Sequence, residues 1–180
     1  MEMNLKLDKK YKDLAKFTQK FTTTHIKGVK PDQFIETLES LNVNTVIDVR
    51  FWNIYPLYYH PKNMKDLLEI HGIEYALFQK LGNPTMLRGR AGNNFLFAKR
   101  LYQDFIRNKP ESRKQFLELF KLSRFNKIYC LICYCPTNDP KLCHRFWLKE
   151  LLINYKRVQL GLSGDIEVQN LTQKLIPEVI

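Results

Sequence analysis

The residues best suited to chemistry fall in one short segment, Cys133-Tyr134-Cys135 … Cys143-His144-Arg145. All four cysteines of the chain lie between Cys130 and Cys143. A disulfide framework would scatter them to tie distant loops together, whereas clustering points to a metal site, a reactive thiol or a local redox pair. Cys130, inside an apolar run, reads as core.

Three uses of the segment compete. In the first, Cys143, His144 and Arg145 open a helix whose free N–H groups attract an anion and lower the pKa of a nearby thiol. Arginine in a first turn opposes the helix dipole, so its position asks for a reason, and an anion or phosphate held beside Arg145 supplies one. Cys143 or Cys133 would then be the thiolate and His144 an acid or base. In the second, Cys133, Cys135, Cys143 and His144 are soft ligands for zinc. Their C-x-C-x7-C-H spacing sets adjacent donors awkwardly for one tetrahedral site, so no cofactor is expected and zinc is the alternative. In the third, Cys133 is core and the polar triplet only caps and solvates the helix start.

Other candidates lie upstream. Asp48 and Arg50 share one face of a strand by two-residue periodicity, either as a structural ion pair or with Asp48 in the chemistry and Arg50 facing the same anion as Arg145. His25 follows the first strand and can join them. Arg88 and Arg90 sit in a glycine-rich stretch and are further phosphate contacts. The run from Phe51 to His60 is dense in aromatics, and Phe51, Trp52 and Tyr55 can stack on bases, roof the core or bury a homodimer contact.

The elements that must position these groups alternate strand and helix. Asp8 to Gln19 predicts a basic amphipathic helix, and Phe21 to His25 a strand. Pro31 opens a helix carrying Phe34, Leu38 and Leu41. The run from Asn44 to Arg50 is a strand covered on both faces. Pro61 to His71 is a helix stopped by Gly72, and Ile73 to Phe78 a second strand of the same kind. Leu81 to Asn94 reads as a loop, punctuated by Gly82, Pro84, Gly89 and Gly92. Two helical stripes follow, Ala98-Leu101-Tyr102-Phe105 and, after Pro110, Phe116-Leu119-Phe120. Ile128 to Cys133 is the most apolar strand, Leu148, Leu151, Leu152 and Tyr155 mark the next helix, and Asp165 to Leu171 is a last strand. The fold class is α/β, a single domain with a mostly parallel central sheet and helices on both faces. The division expected is a basic helical extension over residues 1–20 and an α/β domain over 21–180. Ligands of such folds bind at the carboxyl ends of the strands, which selects Asp48-Val49-Arg50 and the loop from Cys133 to Cys143.

The chain of 180 residues carries a net charge of +11, unevenly placed. Residues 1–30 hold +5, 31–79 hold −4, 80–127 hold +9 and 128–180 hold +1. Such a field favours a polyanion, nucleic acid first and an acidic membrane surface second. No apolar run approaches the roughly 20 residues of a membrane span, and the first twenty residues lack a signal-peptide pattern, so a cytoplasmic location is expected.

Several short pieces together resemble the family catalogued as domain of unknown function 488 (DUF488). They are Thr24-His25, Asp48-Val49-Arg50, Gly72-Ile73-Glu74-Tyr75, Leu81-Gly82, Cys133 and Cys143-His144-Arg145. The resemblance implies one α/β domain that gathers His25, Arg50, Cys133 and the Cys-His-Arg triplet around one pocket, and it supplies no reaction. Family members usually carry glutamate where this chain has Cys135, and the loop to Cys143 is about two residues longer here. The aromatic run after Arg50 replaces a serine- and arginine-rich stretch. The strand-Cys-loop-helix-Arg order also looks like the active-site loop of rhodaneses and cysteine phosphatases, but this loop contains no glycine.

The leading expectation is a protein that binds nucleic acid and processes or repairs it, as a glycosylase or nuclease does. The alternatives are a thiolate enzyme acting on a small anion, by sulfur transfer or phosphate-ester hydrolysis, and a non-catalytic module binding nucleic acid or protein.

Overall fold

The structure is a computed structural model describing residues 2–51, 56–123, 126–135 and 137–162. The elements run α1 (Glu2–Gln19), β1 (Phe21–His25), α2 (Pro31–Ser40), β2 (Thr45–Asp48), α3 (Pro61–Ile70), β3 (Glu74–Leu77), α4 (Thr85–Ala91), α5 (Phe95–Asn108), α6 (Pro110–Leu122), β4 (Tyr129–Cys133) and α7 (His144–Gln159). Short 3-10 turns cover Leu57–Tyr59 and Gln79–Leu81. The predicted last strand, Asp165 to Leu171, lies outside the described residues.

All four described strands are parallel, in the order β1-β4-β2-β3. The α/β class with a parallel sheet follows from the sequence pattern as expected. β4 is central, and its register pairs Cys133 with His25 on one side and Ile132 with Asp48 on the other. His25, Asp48 and Cys133 therefore reach the same carboxyl edge.

Two-residue periodicity sorts the core into two layers. Val46, Cys130 and Ile132 pack with Phe34, Leu38, Met64 and Leu68 of α2 and α3. Ile47, Val49, Leu131 and Cys133 pack with Phe17 of α1 and with α5, α6 and α7. Cys130 and Cys133, three residues apart, thus face opposite layers. Leu148, Leu151, Leu152 and Tyr155 of α7 are all buried, as their spacing predicts.

Two expectations are corrected. The stretch from Leu81 to Asn94 is not all loop, because Thr85–Ala91 forms α4. Its Pro84 and Gly92 mark helix ends: Pro84 stands just before the first turn, and Gly92 leaves the helix at φ +53°. β3 is an edge strand with Glu74 and Leu77 exposed, so it is not covered on both faces as the central strands are. The amino-terminal helix packs on the domain that follows it. Phe17 is buried against Phe21 and Phe120, at ring-centroid distances of 5.4 and 5.6 Å.

The chain after β2 is held down at Gly82. A β-carbon there would lie 2.5 Å from the Phe51 backbone nitrogen, so only glycine admits this approach. Gln79 Nε2 donates to the Phe51 carbonyl at 3.0 Å and secures the same contact.

Candidate functional site

Asp48 and Arg50 form a closed unit. Arg50 Nε donates to both Asp48 oxygens at 2.8 Å and Nη2 to Oδ2 at 2.5 Å, while Nη1 donates to the Tyr59 carbonyl at 2.8 Å. The Tyr75 hydroxyl donates to Asp48 Oδ2 at 2.7 Å. Arg50 is 2 % exposed and Asp48 has no exposed surface. Of the two readings left open by the sequence, the arrangement matches the structural ion pair. Burial, then the Asp48 carboxylate, pushes the Tyr75 hydroxyl well above its ordinary pKa, and burial pushes Tyr59 up as well.

The second unit joins the end of β4 to the start of α7. Cys133 ends β4, Cys135 lies in the loop after it, Cys143 precedes α7 and His144 is its first residue. Cys133 Sγ is 3.3 Å from Cys143 Sγ, and Cys135 Sγ is 3.6 Å from His144 Nδ1. Ligand atoms of all four residues lie within 4.8 Å of one another. The spacing objection fails for a local reason. Cys143 is extended, at φ −120° and ψ 129°, whereas His144 is helical, so adjacent side chains can converge as neither regular periodicity allows.

Arg145 completes the unit from the first turn of α7. Nη1 donates to Cys133 Sγ at 2.9 Å, and Nη2 donates to the Thr137 carbonyl at 2.8 Å and to Asn138 Oδ1 at 2.6 Å. Its residue exposure is 0 %. At this helix start the guanidinium therefore faces a sulfur and two oxygens of this chain. The Cys135 backbone N–H also donates to Cys133 Sγ, at 3.3 Å.

These contacts set the ionisation. Burial alone would raise the Cys133 thiol, but hydrogen bonding with Cys135 and Cys143 and the nearby His144 and Arg145 hold it well below the ordinary range. The Cys133 sulfur in turn pushes Cys135 up to about 12 and Cys143 far above its ordinary value. Burial is the largest influence on His144 and lowers its pKa, against the pull of the Cys133 sulfur and the Val49 carbonyl. His144 Nε2 lies 3.1 Å from the Val49 carbonyl, an acceptor only, so this nitrogen carries the proton and Nδ1 offers its lone pair to the cysteines.

Of the remaining candidates, His25 joins the second unit indirectly, its Nδ1 lying 3.0 Å from Asn138 Oδ1, which also accepts from Arg145. Arg50 is linked to this unit through its neighbour Val49, whose carbonyl lies 3.1 Å from His144 Nε2. Arg88 and Arg90 are exposed on α4, and Arg88 is near enough for its charge to disfavour protonation of His144. Phe51 is half-buried, and Trp52 and Tyr55 lie outside the described residues. Neither Arg50 nor Arg145 offers exposed surface to an external phosphate, and Cys133 and Cys143 offer none to a substrate.

Two contributors were not singled out from sequence. Tyr102, recognisable only as part of a helical stripe, sets its ring edge against His144 at 5.7 Å and donates its hydroxyl to the Leu81 carbonyl at 2.6 Å. Asn138 was legible only as a turn residue. A cavity of about 840 Å³ lined in part by Lys16, Lys20, Lys127 and Lys156 lies at the opposite, amino-terminal edge of the sheet.

No helix of the described residues is long and apolar enough to cross a membrane. No curated protein and no solved structure matches the chain. The family model described as Domain of unknown function DUF488 matches residues 30–152, which includes β2, β3, β4, the cysteine cluster and the first half of α7. The chain belongs to the DUF488 family.

Proposed function

We propose that this protein binds nucleic acid through the face formed by α4 and the start of α5. The observation that carries this reading is an exposed stretch in which two aromatic rings lie in sequence between arginines. Arg88, Arg90 and Arg100 are exposed, and among them stand Phe95 and Phe97, 46 % and 45 % exposed. Aromatic rings beside arginines suit single strands, whose bases stack while the phosphates pair with guanidinium groups. Asn94 caps α5 by accepting from the Phe97 N–H at 3.0 Å, which sets the helix start so that both phenylalanines fall in the first turn, at the positive end of a 14-residue helix. The charge of +9 over residues 80–127 supplies the long-range attraction.

This reading moves the phosphate contacts expected at Arg50 and Arg145 to Arg88, Arg90 and Arg100, since the first two are buried and paired within the chain. It puts binding ahead of turnover, because both nitrogens of His144 have partners and Cys133 and Cys143 are covered.

The test is fluorescence anisotropy with single- and double-stranded oligonucleotides across a salt series. The expected result is preference for single strands and an affinity that falls steeply with salt. The double variant Arg88→Ala, Arg90→Ala should lower the slope of log affinity against log salt by about two, roughly one per lost phosphate contact. Phe95→Ala with Phe97→Ala should cost about 1–3 kcal/mol per stacked base while leaving that slope intact. Absence of salt-sensitive binding to any oligonucleotide would refute the reading.

A further inference from the structure

We propose that Cys133, Cys135, Cys143 and His144 bind one zinc ion through three thiolates and one imidazole, as a closed structural centre. Four protein donors without an open position are the signature of a structural rather than a catalytic zinc.

The distances fit. A tetrahedral ion with zinc–sulfur bonds of about 2.3 Å and a zinc–nitrogen bond of about 2.0–2.1 Å separates two sulfurs by about 3.8 Å and sulfur from nitrogen by about 3.6 Å. Cys135 Sγ and His144 Nδ1 stand 3.6 Å apart, and all four donor atoms lie within 4.8 Å of one another. The Cys133–Cys143 sulfur separation of 3.3 Å is shorter, so insertion of the ion spreads that pair by about half an ångström.

The surroundings make the same case independently. A metal-bound histidine keeps its other nitrogen on a fixed acceptor, which orients the ring and sets the tautomer, and the Val49 carbonyl does this for Nε2. Cys133 Sγ accepts from the Arg145 guanidinium and from the Cys135 backbone N–H, donors suited to a thiolate ligand.

Charge balance argues further. Arg145 is fully buried, and none of its hydrogen-bond partners among the described residues is a carboxylate. A buried cation needs a partner charge close by. One dication with three thiolates carries one net negative charge, and the Arg145 guanidinium cancels it. Its Nε, which has no partner among the described residues, leaves the cation leaning on these few contacts. The ion would fasten the loop from Tyr134 to Leu142 between β4 and α7 and, through Val49, to the end of β2.

The inference does not depend on nucleic-acid binding, and its test reads the metal alone. The full chain, purified under reducing conditions, is titrated with Co²⁺ and then with Zn²⁺. The expected result is saturation at one ion per chain, with thiolate-to-cobalt charge-transfer bands and the intense visible bands of a tetrahedral site, both abolished by Zn²⁺. Cys135 is a half-buried loop residue, so Cys135→Ser should keep the far-ultraviolet circular dichroism of the wild type. It should weaken binding by more than about 100-fold, beyond the loss typical of an outer-sphere partner, and dim the charge-transfer bands. Cys130→Ser, on the other face of the sheet, should change neither. A weak octahedral cobalt spectrum, or wild-type binding by Cys135→Ser, would overturn the proposal.

Discussion

Arg145 Nη1 donates to Cys133 Sγ at 2.9 Å, and this contact ties the first turn of α7 to the last residue of β4. It also shows what faces a cation placed where the helix dipole disfavours one: a sulfur, a backbone carbonyl and an amide oxygen of the same chain. The planar guanidinium reaches Cys133, the Thr137 carbonyl and Asn138 at once. Lysine keeps the charge but cannot span three acceptors in one plane. Arg145→Lys should therefore lower stability by about 2–3 kcal/mol, the worth of one or two charged hydrogen bonds, read as a drop in the urea midpoint. An unchanged midpoint would mean that the three contacts carry no net stability.

The buried Asp48–Arg50 pair should behave as one unit. Arg50→Met leaves a buried carboxylate held, among the described residues, by Tyr75 and the position-50 backbone N–H, at an expected cost of about 3–5 kcal/mol. Adding Asp48→Asn to the same chain should restore part of that loss, because the uncompensated charge is removed. Denaturant curves of both single variants and the double variant measure the coupling. Additive losses would contradict a mutual pair.

Much of this was legible in the sequence, and what was not has identifiable causes. The β-branched run at Thr45 to Val49, the apolar strand at Tyr129 to Cys133 and the 3.6-residue stripes gave the parallel α/β fold, because burial on two faces leaves a composition that periodicity can read. The location of the candidate site rests on the rule that ligands of parallel sheets bind at the carboxyl ends of the strands. The fate of the arginines did not. Arg50 and Arg145 are long enough to turn outward to a phosphate or inward, and among the acceptors that hold them inward, beside Asp48 and Cys133, are the backbone carbonyls of Tyr59 and Thr137, which no sequence pattern announces. The convergence of four donors was hidden too, because spacing rules assume one regular backbone and the chain changes from extended to helical between Cys143 and His144. Glycines at 82 and 92 suggested a loop where a short helix stands between them.

Alkaline pH should destabilise the protein. Burial raises Cys130 from an ordinary 9.0 to about 12 and raises Tyr59, Tyr75 and Tyr102 above their ordinary 10.0. Above about pH 9 the unfolded chain loses protons that the folded protein keeps, so stability falls as pH rises. Cys130 alone contributes about 2 kcal/mol of loss by about pH 10.5, at 1.36 kcal/mol per pH unit. Urea unfolding at about pH 8 and about pH 10.5 checks this, and Cys130→Ala should flatten the difference.

Gly82 sets the path of the chain after β2. Gly82→Ala should cost about 1–3 kcal/mol, as overpacking does, because a methyl group there must displace backbone rather than a flexible side-chain end. Thermal unfolding of the variant gives the number, and a wild-type midpoint would show that the Phe51 backbone yields freely.

The central claim is that Cys133, Cys135, Cys143 and His144 act as one metal centre, and X-ray absorption of the zinc-loaded chain reads it most directly. Three sulfur neighbours at about 2.3 Å and one nitrogen at about 2.0–2.1 Å are expected. A shell of oxygen and nitrogen alone, with no sulfur, would contradict it.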